Sequence, residues 1–235
     1  MSDPSGGGAE PSLNPSVGLG VLHLFCRITP GTDSEGLLAA IKQARQDGDQ
    51  VVSVALLGHK ADVCFLVLGP DLWRLHRFQA SVQRCGGEVV WSYVSLTELS
   101  EYGDGLPEEM KQARLYPVLP PVDKPAFCFY PMSKRRVAEY NWYELGFEER
   151  KEFMIAHGAV GRRFRGRVLQ LVTGSTGLDD WEWGVTLFAN HPDDLKSCVY
   201  EMRFDAASAR YAEFGPFVTG MVADADEIFA RLAGT

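Results

Sequence analysis

Residues 51–68, VVSVALLGHKADVCFLVL, contain the pattern that decides the fold. Two runs rich in β-branched and apolar side chains, residues 51–57 and 62–68, flank the segment GHK at residues 58–60. Runs of this length on either side of a glycine-containing turn are typical of a β-hairpin. We therefore predict two antiparallel strands joined by a tight turn.

The segments around this hairpin complete a recurrent unit. Residues 18–28 are a strand candidate, and PGTDS at residues 30–34 offers an N-cap for a helix over residues 35–46. Beyond the hairpin, a predicted helix over residues 70–84 precedes a strand over residues 88–94. The resulting order, β-α-β-β-α-β, is that of a ferredoxin-like unit.

The second half of the chain repeats this order. The predicted elements are strands over residues 126–132, 167–173, 181–188 and 214–221, helices over residues 147–158 and 193–202, and a short closing helix over residues 224–232. The repeat predicts an α+β fold, specifically a tandem ferredoxin-like (dimeric α/β barrel) repeat.

Composition divides the chain into four segments. Residues 1–16, rich in Gly, Ser and Pro, are expected to form a disordered lead. The first ferredoxin-like half is expected over residues 17–95, a connector rich in Pro and Glu over residues 96–124, and the second half over residues 125–235. The segments that carry chemistry lie in this second half.

Charge and cysteine usage exclude several classes of function. The formal net charge of the 235-residue chain is −8, which disfavours nucleic acid as a partner because phosphate binding requires a basic face. Five cysteines without a CxxC pair argue against a disulfide framework or a zinc site and indicate reduced thiols in a cytoplasmic protein. No run approaches the roughly 20 apolar residues of a membrane span.

The most informative stretch is residues 129–157, FYPMSKRRVAEYNWYELGFEERKEFMIAH. Helical spacing places His157 on or beside the apolar stripe of its helix. A buried imidazole next to Gly158, which leaves space beside the ring, suits an axial haem ligand. The spacing alone favours a core histidine bonded to a carbonyl, which is the commoner case.

The same stretch contains oxidisable rings and cationic residues. The rings are Tyr130, Tyr140, Trp142 and Tyr143. A tyrosine close to an oxidised iron could carry a radical, although aromatic rings are more often core residues. Seven cationic residues lie in this stretch or shortly after it, and such residues hold carboxylates well, although a solvated stripe is the default explanation. They are Lys134, Arg135, Arg136, Arg162, Arg163, Arg165 and Arg167.

The glycine-rich segment over residues 174–177 is not a phosphate loop, because no GK[ST] follows it and it joins two strands. The three carboxylates that follow, Asp179, Asp180 and Glu182, match no calcium-binding spacing and are expected to be solvated. Further along, Arg203 and Ser208 could close over a carboxylate or merely cap a helix.

Five motifs together carry a resemblance to a known family. They are YPMSKRR at 130–136, NWYEL at 141–145, the His157-Gly158 pair, TGSTGLDDWEWGVTLFA at 173–189 and YEMRFDAASARYAEFGPF at 200–217. In this order they resemble the coproheme decarboxylases, which are chlorite dismutase-like enzymes of haem biosynthesis. The match is dense over residues 127–220, whereas the first half matches only in its order of elements.

The resemblance implies a cytoplasmic homopentamer that acts on iron coproporphyrin III (coproheme) with hydrogen peroxide. Two propionates leave as carbon dioxide through a tyrosyl radical, and haem b is the product. Transient contact with a coproporphyrin ferrochelatase is also implied. By motif position, His157 is the axial iron ligand, Tyr130 and Lys134 are catalytic, and the porphyrin-binding residues are Arg114, Met132, Trp142, Gln170, Arg203 and Ser208.

Three other functions share enough of this pattern to stay open. A chlorite dismutase would have the same fold and histidine, but it is associated with a distal arginine where this chain has Gln170. A dye-decolourising-type peroxidase would be expected to carry an acidic distal residue. A non-catalytic haem-binding or haem-transfer protein would need only the binding residues. The identity of a distal base is left undetermined.

Overall fold

A computed structural model describes residues 12–103 and 105–234. Most of the lead that we expected to be disordered, residues 1–11, lies outside the described residues. Within residues 12–16, Leu13 donates its N–H to the Asp71 carboxylate at 2.9 Å and accepts a hydrogen bond from the N–H of Leu72. This part of the lead is therefore held against the start of a helix.

The first half has the predicted order of elements. Its six elements are β1 (Gly20–Arg27), α1 (Ser34–Gln46), β2 (Gln50–Leu57), β3 (Val63–Gly69), α2 (Leu72–Arg84) and β4 (Glu88–Thr97). Asp33 and Asp71 cap the two helices by accepting hydrogen bonds from backbone N–H groups in the first turn. Gly58 takes a φ of 95° in the turn between β2 and β3, a conformation that favours glycine.

The connector contains a helix that the sequence did not predict. This helix, α3 (Glu108–Leu115), begins after Pro107 and has two glutamates in its first turn. Leu115 accepts a hydrogen bond from the Thr97 hydroxyl through its carbonyl, at 2.7 Å. The connector therefore packs against the end of β4.

The second half repeats the order with additional short elements. They are β5 (Ala126–Lys134), β6 (Arg136–Val137), β7 (Tyr140–Asn141), α4 (Phe147–Arg162), β8 (Val168–Gly174), β9 (Trp183–Ala189), α5 (Pro192–Met202), α6 (Ala206–Tyr211), β10 (Ala212–Phe214), β11 (Val218–Val222) and α7 (Ala225–Ala233). A single 3-10 turn, Trp142–Glu144, precedes α4.

One predicted strand is divided in two. We expected residues 214–221 to be continuous, but residues 215–217 separate β10 from β11. The N–H of Gly215 bonds to the carbonyl of Pro131, and a Cβ on Gly215 would lie 2.6 Å from the Pro131 ring. Pro216 has no N–H for a ladder, so the strand breaks where the chain crosses Pro131.

The strands of both halves close into one eight-stranded barrel. The order around it is β5-β11-β2-β3-β1-β4-β8-β9, and β9 pairs with β5 to close the ring. The two seams between halves are β11–β2, with four residue pairs, and β4–β8, with only two. The halves therefore share a single interior, which contains Phe25, Tyr93, Phe127 and Phe129.

Two helical layers cover the outside of the barrel. One packs α1, α2 and α7 against the outer face of the first half. Thus α7, which follows the second half in sequence, buries Ile228 and Phe229 against the first half. The other layer packs α5 on β5, β8 and β9, with Leu195 and Cys198 buried there. In the described part of the chain, no helix is long and apolar enough to span a membrane.

Candidate functional site

Strand β5 directs three of the predicted site residues toward the second helical layer. Because side chains alternate along a strand, Tyr130, Met132 and Lys134 lie on the outer face, whereas Phe127 and Phe129 point into the barrel. Tyr130 and Lys134 are buried and Met132 is half-buried. The motif YPMSKRR therefore puts these three residues on one face of β5.

Helix α4 covers this face only loosely. It is 16 residues long and contains no fully buried residue, whereas α1, α2 and α5 each bury three. Its packing is mainly against α5 and α6 rather than against the barrel. On the facing strand β8, the outward side chains of Gln170 and Val172 are exposed, although Val168 is buried. Part of the outer face of the barrel beside α4 is therefore uncovered, and we call this uncovered region the slot.

His157 is held in α4 by a carboxylate from the start of α6. Its Nδ1 lies 3.1 Å from Oδ2 of Asp205 and 3.4 Å from Oγ of Ser208. Asp205 is itself fixed as the N-cap of α6, accepting hydrogen bonds from the N–H groups of Ala207 and Ser208. The hydrogen bonds described for His157 all use Nδ1, so Nε2 is the nitrogen available to a metal.

The electrostatics of Asp205 favour its charged form. Burial raises the pKa of this carboxyl, but hydrogen bonds from His157 and Ser208, together with the charge of a protonated His157, outweigh burial and leave the pKa below its usual value. An ionised Asp205 accepts a proton-bearing Nδ1, which fixes the tautomer that exposes Nε2 as a lone-pair donor. The donor set fits an iron porphyrin with one axial imidazole.

Lys134 is buried beside the same pair. Its Nζ donates to the carbonyl of Ala207 at 3.3 Å and lies 4.1 Å from the centroid of the Trp142 ring. Burial lowers the pKa of Lys134 to about 8, although the negative charges of Asp205 and Glu182 oppose this shift. A buried ammonium that is not fully neutralised is well suited to a carboxylate ligand.

Tyr130 is enclosed by aromatic side chains. Its ring stacks on Phe217 with centroids 4.4 Å apart and meets Phe214 edge-on at 5.7 Å. Burial raises the pKa of Tyr130, the Cys128 and Cys198 thiols raise it further, and the charge of Arg203 opposes them. The phenol therefore stays protonated at neutral pH, so its oxidation requires loss of a proton together with an electron.

The remaining predicted residues divide between those at the slot and those elsewhere. Trp142 is buried under Lys134, and Arg203 lies over the rings of Phe214 and Phe217. Gln170 lies on the slot side of β8, with its Nε2 3.6 Å from Sγ of Cys198. Ser208 contacts His157 itself.

Arg114 is not brought to this cluster by any contact described for residues 12–103 and 105–234. It is exposed near the end of α3, a helix whose contacts are with β4 and the segment after it. Its assignment as a porphyrin-binding residue stays a prediction.

The basic residues around the site are partly neutralised. Arg163 pairs with Glu201 at 3.5 Å and Arg167 pairs with Asp194 at 2.8 Å, both across to α5. Arg136 lies 3.5 Å from the Glu182 carboxylate. Several of the seven cationic residues therefore form ion pairs with other elements, and only the remaining ones are available to a ligand.

Two acidic residues of the site were missed or misjudged from sequence. Asp205 lies 48 positions from His157, and its N-cap pattern was its only signal. Glu182, which we expected to be solvated with Asp179 and Asp180, is buried and accepts the backbone N–H of Lys134 at 2.7 Å. That expectation is wrong because β9 begins at the next residue and draws Glu182 against β5.

The other histidines do not supply a base at the slot. His23 points into the barrel, where its Nε2 lies 2.9 Å from Oγ1 of Thr186, and burial lowers its pKa to about 3. His59, His76 and His191 are exposed, on the hairpin turn, on α2 and before α5. Gln170 is the polar side chain that β8 presents to the slot.

Comparison with known proteins places this geometry in a family. The family model described as chlorite dismutase matches residues 33–223, which is most of the chain. The chain belongs to the chlorite dismutase family. This membership confirms the family that the motifs predicted.

Curated members of the family share extensive sequence identity with the chain. It is 45% identical over 227 residues to the coproheme decarboxylase of Staphylococcus carnosus, covering 86% of this chain and 90% of that protein. It is 43% identical over 220 residues to a protein of Natronomonas pharaonis named for heme binding, again over 86% of this chain. The chain spans only 36% of the length of the Natronomonas protein.

Solved structures of the family confirm the fold. A heme-binding protein from Thermus thermophilus superposes with a TM-score of 0.84 at 37% identity, over 95% of this chain and 98% of that one. A mutant chlorite dismutase from Candidatus Nitrospira defluvii superposes with a TM-score of 0.72 at 20% identity, over 93% and 97%. The α+β, tandem ferredoxin-like prediction is thereby confirmed.

Proposed function

We propose that this protein is a coproheme decarboxylase, which uses hydrogen peroxide to remove two propionates from iron coproporphyrin III and release haem b. The observation that carries the proposal is that α6 links His157 to Lys134. Asp205, the N-cap of α6, bonds to His157, and the carbonyl of Ala207 accepts from Lys134, which shares the outer face of β5 with Tyr130. The 45% identity to a protein named coproheme decarboxylase supports the same substrate.

In this proposal His157 holds the porphyrin iron through Nε2. Asp205 keeps the proton on Nδ1 and prevents the ring from turning. The iron porphyrin, when bound, supplies the redox chemistry with peroxide. Five further residues are proposed to contact the macrocycle or its carboxylates. They are Met132, Trp142, Gln170, Arg203 and Arg114.

Lys134 is proposed to orient the propionate that reacts. Its ammonium gains a counter-ion when a carboxylate enters, which relieves the cost of its burial. The amine is fixed by Ala207 and by the Trp142 ring, so the carboxylate is held in one place. Ser208, which contacts His157, is proposed to act near another propionate.

Tyr130 is proposed to carry the oxidising equivalent as a tyrosyl radical. Its enclosure by Phe214 and Phe217 excludes water and leaves the substrate as the nearest hydrogen donor. The radical takes hydrogen from the β-carbon of the propionate and the phenol is restored. The same equivalent of peroxide takes up a second electron from the substrate, carbon dioxide leaves and a vinyl group remains. Each propionate lost therefore consumes one peroxide and one proton and yields two waters. The homopentamer, the cytoplasmic location and the contact with a ferrochelatase stay predictions.

Mass spectrometry of the coproheme complex tests the function. After titration with peroxide, we expect first a three-propionate porphyrin and then haem b. Tyr130→Phe should stop both losses, whereas Tyr200→Phe, at an exposed position on α5, should not. An equally fast Tyr130→Phe variant would remove the radical from the mechanism.

A haem-binding or haem-transfer protein is the second candidate, because two relatives are named for heme binding. In that case the same titration would leave the mass of the porphyrin unchanged. His157→Ala tests the ligand under either function, since loss of the axial nitrogen should change the absorption spectrum of the complex. An unchanged spectrum would exclude His157 as the ligand.

A further inference from the structure

Three oxidisable rings lead from the site to the protein surface. The Trp142 ring is buried, and its centroid lies 5.4 Å from that of Tyr211 in an edge-to-face contact. Tyr211 is also buried, and its centroid lies 6.2 Å from that of Tyr140, again edge-to-face. Tyr140 is 40% exposed. The rings therefore form a continuous series from the slot to solvent.

Each ring of this series is fixed by its own element. Tyr140 lies in β7, which pairs with β6. Trp142 begins the 3-10 turn that Asn141 caps. Tyr211 ends α6, and its carbonyl accepts the N–H of Arg135 at 2.7 Å. The ring contacts are thus built into the backbone of the second half.

The chemistry of the rings favours movement of an oxidising equivalent outward. The ammonium of Lys134, 4.1 Å from the Trp142 centroid, disfavours a positive hole on that indole and favours its transfer to Tyr211. A tyrosine loses its proton as it is oxidised, and at exposed Tyr140 water can accept that proton. A radical can therefore persist at Tyr140, the exposed end of the series.

We propose that Trp142, Tyr211 and Tyr140 form an electron-transfer path to a surface oxidation site at Tyr140, whose substrates are one-electron donors too large to enter the slot. The proposal rests on the proposed reaction of the bound porphyrin with peroxide. In each step one electron passes inward along the rings, and Tyr140 releases a proton to water and regains it when the donor reduces it. Two donors are oxidised by one electron each, and one peroxide with two protons becomes two waters.

Spin trapping locates the radical without measuring decarboxylation. The protein is loaded with haem b, which lacks the two propionates that the proposed reaction removes, and is treated with peroxide and 2-methyl-2-nitrosopropane. Peptide mass spectrometry should find the adduct on Tyr140. Tyr211→Phe keeps a ring in the same packing but cannot be oxidised in this way, and it should abolish the adduct.

Tyr143→Phe is the matched control. Tyr143 is exposed and follows Trp142 directly, but its described ring contact is with the guanidinium of Arg136, 5.7 Å away. This variant should keep the adduct on Tyr140. An absent adduct on Tyr140 in the wild type, or an equal one in Tyr211→Phe, overturns the path.

Reduced cytochrome c serves as a donor that cannot enter the slot. The wild type should oxidise it in the presence of peroxide, whereas Tyr140→Phe and Tyr211→Phe should lose this reaction and still convert coproheme to haem b. Retention of cytochrome c oxidation in both variants overturns the surface site. A wild type that forms the Tyr140 adduct but does not convert coproheme contradicts the proposed function alone.

Discussion

At the scale of single residues, the pair formed by His157 and Asp205 sets the properties of the proposed iron ligand. The carboxylate both caps α6 and accepts from the imidazole, so one side chain fixes a helix and a ligand together. A hydrogen bond from a ligating imidazole to an anion increases the electron density at the nitrogen that binds the metal.

Replacing Asp205 separates these two roles. Asp205→Asn keeps a good N-cap but removes the negative charge beside His157. We expect the iron–histidine stretching frequency of the reduced coproheme complex to fall, as measured by resonance Raman spectroscopy. Ser208→Ala, which removes the weaker 3.4 Å contact, should change the frequency less. An unchanged frequency in Asp205→Asn would show that the carboxylate does not influence the ligand.

Lys134 makes the stability of the ligand-free protein depend on pH. Burial lowers its pKa from 10.5 to about 8, so the charged amine costs folding free energy at neutral pH. This cost is fully present below pH 8 and disappears as the pH rises toward 10.5, where the unfolded state also loses the proton.

Lys134→Met should therefore raise the free energy of unfolding by about 1–3 kcal/mol near neutral pH. The difference from the wild type should shrink as the pH is raised through the lowered pKa, which urea denaturation at several pH values would measure. Coproheme affinity should fall in the same variant. Lys196→Met, at an exposed position on α5, should change neither quantity; a destabilised Lys134→Met would contradict the argument.

The sequence indicated the chemistry of His157, Tyr130 and Lys134 because all three lie within one local stretch that contains the family motifs. Strand alternation also places Tyr130 and Lys134 on the same side of their strand. It did not indicate Asp205 or Glu182 as their partners, since both come from positions distant in the chain that only the tertiary packing of the second half brings near. Partners set by tertiary contact carry little local signal.

At the scale of elements, α4 differs from the other long helices in having no fully buried residue. Local opening of a helix costs less free energy when few of its side chains are buried. In the ligand-free protein, we expect the amides of α4 to exchange with deuterium faster than those of α1 and to become protected when coproheme binds. Equal protection of α1 and α4 before binding would contradict the slot.

Strand β11 closes the barrel through a very close contact at Gly220. A Cβ on Gly220 would lie 2.2 Å from the carbonyl oxygen of Ala55 on β2, which is backbone and cannot turn away. We expect Gly220→Ala to lower the free energy of unfolding by about 1–3 kcal/mol. Gly31→Ala is the control, since the nearest atom to its Cβ would be 4.0 Å away. A thermal melt of the two variants would show the difference.

Strands and long helices were predictable because their apolar periodicity is local. The break between β10 and β11 was not, because it depends on the close approach of Gly215 to Pro131 in another strand. Helix α3 was missed for a similar reason: only Leu115 among its residues is buried, so its apolar pattern is weak.

At the scale of the whole molecule, the two halves form one cooperative structure. The barrel interior contains side chains from both halves, and α7 covers the first half although it follows the second. We expect calorimetry of the ligand-free protein to show a single unfolding transition, with equal calorimetric and van't Hoff enthalpies. Two separate transitions would show that the halves fold independently.

The repeat of β-α-β-β-α-β was visible in the sequence because each half has its own hairpin and helices. The strands that join the two halves were not visible, since strand pairing across β4–β8 and β11–β2 leaves no periodic signal in either strand. The repeat therefore predicted the units of the fold and a barrel, and the pairing and register at the two seams had to come from the structure.

The position of α7 also affects how the chain folds during synthesis. The ribosome completes β4 136 residues before it completes α7, an interval of roughly 7–27 s at typical elongation rates. During this interval the growing chain exposes the apolar surface that Ile228 and Phe229 later cover. The half of the chain that is translated first is thus the last to complete its packing. Until then, chaperones have a defined apolar surface to shield.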